Sequence, residues 1–96
     1  MVRATAELLL DVSDLEPPEP LVLTLDAAEA LAPGCYLRML HRRDPCLLPD
    51  NLRRRGFDFV IREGSRTAVE VFIWRASDEA ARRAAEAAMA LPRGAL

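Results

Sequence analysis

Cys46 closes the run HRRDPC, residues 41–46, two positions after Asp44 and close behind Arg42 and Arg43. A thiol near a helix start and beside guanidinium groups is drawn toward thiolate, the form that attacks sulfur or a redox partner. The plainer reading is a small half-buried side chain packed beside Leu47 and Leu48. His41 is the only histidine. An imidazole can bind a metal or haem, or carry a proton near neutral pH. No second histidine and no acid at ligand spacing completes a closed site, so the plainer reading is a strand-end residue with an ordinary hydrogen bond. Arg42 and Arg43, with Arg53, Arg54 and Arg55, place five guanidinium groups in a short span. Such a cluster suits a small anion or RNA phosphates, and RNA binding would then fall steeply with salt. Against RNA, no aromatic residues suited to base stacking accompany it. The two groups also bracket a helix, and arginines suit a helix C-terminus for dipole reasons.

The elements that would position these residues follow from periodicity. TAELLLDV, residues 5–12, alternates as a strand, with Ala6, Leu8, Leu10 and Val12 on one side. DLEPPEP follows with three prolines in seven residues. A proline ring suits the first turn of a helix, where N–H groups have no intrahelical partner. A helix is therefore expected to begin at Pro18–Pro20 and run to about Leu31, with Gly34 able to cap it in a left-handed conformation. CYLRMLH, residues 35–41, reads as a second strand. Asp44 can cap a second helix with Pro45 at its first position, which puts Cys46 at about its second; Pro49 allows a later start. That helix ends at Gly56. FDFVIRE (57–63) and TAVEVFIW (67–74) form a hairpin across GSR. Ser77 caps a last helix, DEAARRAAEAAMAL, whose apolar stripe is mostly alanine and so packs weakly.

The order β-α-β-α-β-β-α predicts an α/β two-layer sandwich. The first two strands are parallel, joined by a right-handed crossover, in a mixed four-stranded sheet with two helices on one face. Leu9, Val60, Phe72 and Trp74 fall on the other face, which needs cover. The C-terminal helix is one candidate, and a second copy of the chain, a homodimer across Phe72 and Trp74, is the other. Sites in such folds gather where parallel strands end and helices begin. That edge collects Pro17, Pro18, Pro20, His41, Arg42, Arg43, Asp44 and Cys46. The plainer reading of the prolines is a rigid helix start; the functional one is a stiff ledge presented to a partner.

The chain has 96 residues and a net charge of −2, which suits one domain and singles out no nucleic-acid or membrane partner. A chain this long buries roughly 60–68% of its extended surface, enough for one modest core. All 13 basic residues are arginine, which with the alanine excess fits coding from a GC-rich bacterium. No stretch approaches the roughly 20 apolar residues of a bilayer span, and the N-terminus does not read as a secretory signal, so a cytoplasmic location is expected. Cys35 and Cys46 match no zinc spacing. They stand roughly 20 Å apart along a strand, whereas a disulfide needs Cα atoms within about 7 Å. No cofactor motif and no metal site is read.

LEPPEP (Leu15–Pro20) resembles the Leu-x-Cys-Pro-x-Pro hallmark of the TusA/SirA family of small bacterial sulfur carriers. Pro33-Gly34 before the second strand and Asp44-Pro45 opening the second helix are shared with it. The resemblance spans about residues 6–75, which implies one TusA-like unit over 1–75 and a helical extension over 76–96. It also implies a persulfide-carrying cysteine at position 17, where this chain has proline, so carriage by that route is excluded. A closer resemblance is to an uncharacterised sister family that lacks this cysteine. It keeps Pro-Pro-Glu-Pro-like segments and often has His-Asp-Pro after the second strand. Here Arg43 precedes Asp44-Pro45 and His41 lies three positions before Asp44. The expected function is a non-enzymatic module that docks a protein partner or a small anion. The alternatives are a thiol-dependent sulfur carrier or redox protein using Cys46, and an RNA-binding module using the arginines of the second helix.

Overall fold

The computed structural model describes residues 6–91. Its elements are β1 (Glu7–Asp11), α1 (Glu19–Glu29), β2 (Tyr36–His41), α2 (Leu48–Arg54), β3 (Phe57–Glu63), β4 (Val69–Arg75) and α3 (Glu79–Ala90), the order read from the sequence. The mixed sheet runs β1-β2-β4-β3, with β1 and β2 parallel and the other pairs antiparallel.

Alternation along the strands sorts side chains between two faces. Leu37, Met39, Val71, Ile73 and Phe57 meet Leu25 and Ala28 of α1 and Leu48 and Leu52 of α2, forming the main core. Fully burying each such Leu or Ile is worth about 1.5–3 kcal/mol, so this layer carries most of the apolar stabilisation. Proline chemistry sets where both helices start. α1 begins after Pro18, with Pro20 in its first turn, where a missing N–H costs no hydrogen bond.

α2 departs from expectation. It starts at Leu48, so Asp44 does not cap it and Cys46 precedes it rather than occupying its second position. Pro49 is the reason. A helix opened at Pro45 would place Pro49 where its absent N–H should bond the Pro45 carbonyl, whereas starting at Leu48 keeps Pro49 in the tolerant first turn. Residues 45–48 instead form a turn closed by Leu48 N–H donating to the Pro45 carbonyl at 3.0 Å.

On the opposite face α3 covers Tyr36, Phe72 and Trp74 with Ala81 and Ala85. Phe72 and Trp74 are only 1% and 5% exposed, while Leu9 and Val60 remain 42% and 37% exposed. The alanine stripe thus seals the aromatic face, because small side chains allow close approach. Pairing of two copies across Phe72 and Trp74 would require α3 to be displaced. The cap of α3 is Asp78, not Ser77. One Asp78 carboxylate oxygen accepts from the Ala81 N–H at 3.0 Å and the other from the Gly34 N–H at 2.8 Å, fastening α3 to the turn before β2. Gly34 holds φ of +81°, the left-handed conformation expected of it.

Glu70, fully buried, lies under this layer. It accepts from Arg38 Nε and Nη2 at 3.0 and 2.9 Å and from Arg62 Nε at 2.7 Å. Register explains the meeting: Arg62 pairs directly with Glu70 across β3 and β4. A buried carboxylate is tolerated when paired and hydrogen-bonded in this way. Both guanidinium groups also lie over the Phe72 ring, and Arg62 donates to the Met89 carbonyl at 2.9 Å, tying down the last turn of α3.

Candidate functional site

The carboxyl ends of β1 and β2 lie level, since Asp11 pairs with Leu40 and the pairing continues from Val12 N–H to the Leu40 carbonyl at 3.0 Å. From these ends the chain turns into α1 and toward α2. Where the two connections part, a cleft of about 260 Å³ opens. Pro17, Pro18, Pro20 and Leu21 line one wall, Arg43 through Leu48 the other, and Met39 and His41 the β2 floor. Every residue of the edge singled out in the sequence lines it except Arg42.

Arg42 turns the other way. Its guanidinium donates to Glu16 at 2.9 Å and to the Ser13 carbonyl, which ties the end of β2 to the segment entering α1. Pro17 and Pro18 are exposed, joined by a cis peptide, and Pro20 is buried. Arg43, Asp44 and Cys46 are exposed at the rim, as is Leu47 at 66%. Sequence reasoning missed Leu21, Met39, Pro45, Leu47 and Leu48 as lining residues. The apolar character of Leu21, Met39, Leu47 and Leu48 points to the core and Pro45 to a helix start, and only the late start of α2 leaves Leu47 outside the core.

His41 is the polar group at the bottom of the cleft, only 6% exposed. Its Nδ1 accepts from the Arg42 backbone N–H at 2.9 Å, which leaves Nε2 to carry the ring proton. Burial, with the charges of Arg42 and Arg43, holds the imidazole below the usual histidine range, so it is neutral at pH 7. The site is thus an apolar recess with a neutral imidazole at its base and a cation and an anion at its mouth.

The second arginine group does not join it. Arg53 donates to Asp50 at 3.2 Å and lies over Phe59, Arg54 donates to Asn51 at 3.3 Å, and Arg55 reaches Glu29 of α1 at 3.4 Å. Each guanidinium has a partner within the chain, two of them carboxylates. Among the described residues no three His, Cys, Asp or Glu side chains gather to hold a metal ion, and no helix is long and apolar enough to cross a membrane.

Residues 9–75 match the family described as "uncharacterized conserved protein (DUF2249)", and the chain belongs to that family. The match takes in both walls of the cleft and ends with β4, before α3. No curated protein and no solved structure shows a match to the chain.

Proposed function

We propose that this DUF2249 member is a non-enzymatic recognition module that holds a compact apolar group of a partner protein, or a small anion, in the cleft between the proline ledge and the end of β2. The observation that carries this is the convergence of Pro17, Pro18, Pro20, His41, Arg43, Asp44 and Cys46 on one recess of about 260 Å³. Prolines and a backbone-anchored histidine make it preorganised, which lowers the ordering cost of binding. The resemblance of LEPPEP to the TusA/SirA hallmark supports the same reading. A carrier-like frame is retained while Pro17 occupies the reactive position.

A photo-crosslinking residue at Leu47, tested in the native cell, checks the proposal against the same residue at Leu91, exposed but remote in sequence. Adducts from position 47 that vanish when Leu21→Trp fills the cleft are expected. Equal adducts from both positions, or none from 47, would refute it.

A second reading, a thiol-dependent carrier or redox protein, is favoured by one observation: Cys46 is exposed on the cleft. Its start-of-helix rationale is weakened, since α2 begins beyond it. Alkylation of Cys46 no faster than a free thiol, with Cys46→Ser retaining the Leu47 adducts, would end that reading.

A further inference from the structure

We infer that the outer edge of β1 is a second docking surface, separate from the cleft, and that it takes an extended segment of a partner protein as a fifth strand, with a basic residue followed by apolar ones.

β1 closes one side of the sheet and pairs with β2 alone. Along a strand, successive residues turn their backbone N–H and C=O groups to opposite sides. The Ala6 carbonyl accepts from Tyr36 N–H at 3.0 Å, and Val12 N–H donates to the Leu40 carbonyl at 3.0 Å, so the backbone of residues 6, 8, 10 and 12 faces β2. That of Leu9 and Asp11 faces outward, and among the described residues no strand pairs with it. Outward N–H and C=O groups at a sheet edge are a template for a further strand.

The side chains agree with the backbone. Leu8 aligns with Leu37 on the α1 face and Leu9 with Arg38 on the α3 face. α1 packs on β2 and β4, and α3 on the same two strands, which leaves Leu8 and Leu9 44% and 42% exposed. The alternating residues of an incoming strand would cover one on each face. The opposite edge is built differently. β3 carries Asp58 and Arg62 within its length, and charges inside an edge strand deter pairing. In β1 the charges stand only at the two ends, around three leucines.

Charge selects the occupant. Asp11, Asp14 and Glu16 are all exposed where β1 ends. Arg42 pairs with Glu16, and Arg66 acts on Asp11 only through space; the hydrogen bonds that Asp11 accepts come from Ser13. A basic residue opposite Asp11 therefore fits, followed in an antiparallel strand by apolar residues opposite Leu10, Leu9 and Leu8. A second copy of this chain fits less well. Antiparallel pairing of two β1 strands centred on Leu9 uses the whole strand but sets Glu7 against Asp11 at both ends, and like charges directly opposite are destabilising. Every other register leaves part of β1 unpaired.

The test is titration of the ¹⁵N-labelled full chain, at low salt, with the peptide acetyl-Ser-Lys-Val-Leu-Val-Ser-amide. It is expected to shift the amides of residues 7–11 with a dissociation constant on the order of 1 mM. Replacing its lysine by glutamate should weaken binding about fivefold, and Asp11→Asn, which keeps an acceptor for Ser13, should bring the two peptides within about twofold of each other. N-methylation of the peptide leucine, whose N–H would meet the Leu9 carbonyl, should weaken binding at least tenfold; N-methylation of the valine after it, whose N–H would point away, should cost no more than about threefold. Equal binding of the lysine and glutamate peptides, no loss on N-methylating the leucine, or no shifts in β1 would overturn the inference. So would a dimer mass for the chain alone by light scattering with concentration-dependent shifts in β1, which would give the edge to a second copy. None of these results bears on the cleft, whose reading stands or falls with the Leu47 crosslinks.

Discussion

Replacing Glu70 with alanine is the sharpest perturbation of the fold that leaves the cleft alone. The carboxylate is fully buried and receives three charge-assisted hydrogen bonds, two from Arg38 and one from Arg62. Breaking a buried ion pair from one side typically costs about 3–5 kcal/mol, because the remaining charges are left without compensation. Here Arg38 and Arg62 retain 21% and 23% side-chain exposure and can regain some water, which places the expected loss near the low end, about 3 kcal/mol. Urea unfolding followed by Trp74 emission reads it directly, since Trp74 is 5% exposed in the native chain. With a slope of roughly 1.2 kcal/mol per molar urea, the midpoint should fall by about 2.5 M at unchanged slope. Glu70→Gln should lose less, since it keeps an acceptor for one arginine. A fall below about 1 kcal/mol for Glu70→Ala would show that the network under α3 is not a stability determinant, and the reasoning from burial would be wrong.

Three further outcomes are expected. Because burial and two arginines hold His41 below the histidine value of about 6.5 that the unfolded chain has, the unfolded state binds more protons in that window. Stability should therefore fall as pH drops through 6.5 and level off below the folded value, and His41→Gln should flatten this part of the denaturation profile; an unchanged profile would contradict it. Gly34→Ala places a side chain at φ of +81° where no neighbour blocks it, so the cost is conformational alone, roughly 1 kcal/mol by urea denaturation. A chain ending at Ala76 would uncover Phe72 and Trp74, and a red-shifted Trp74 emission with a dimer mass by light scattering is expected; a monomer with native emission would refute it.

Features governed by neighbours in sequence were legible before the structure. Pro18 and Pro20 fixed the start of α1, alternation gave β3 its observed bounds of 57–63, and Gly34 announced its left-handed turn. The strand-end edge was also readable, since parallel topology alone brings residues 17–20 and 41–46 together. What depended on distant partners was not. Asp78 outranks Ser77 as a cap because its second oxygen holds Gly34, 44 residues away. Glu70 reads as an ordinary polar position in an alternating strand. Only the pairing of β4 with β2 and β3 surrounds it with Arg38 and Arg62. Cys46 shows a competition between local signals, Asp44-Pro45 against Pro49, that hydrogen-bond bookkeeping decides in favour of Pro49.

The most direct measurement of the central proposal is a screen of small apolar fragments, of either charge and none, mapped by amide shifts onto the full chain. Binders are expected to perturb the stretches 17–21 and 41–48 together and to lose that effect in Leu21→Trp. Fragments that gather on the α3 side, or that bind Leu21→Trp as they bind the parent, would show that the recess between the prolines and His41 is not where this protein recognises anything.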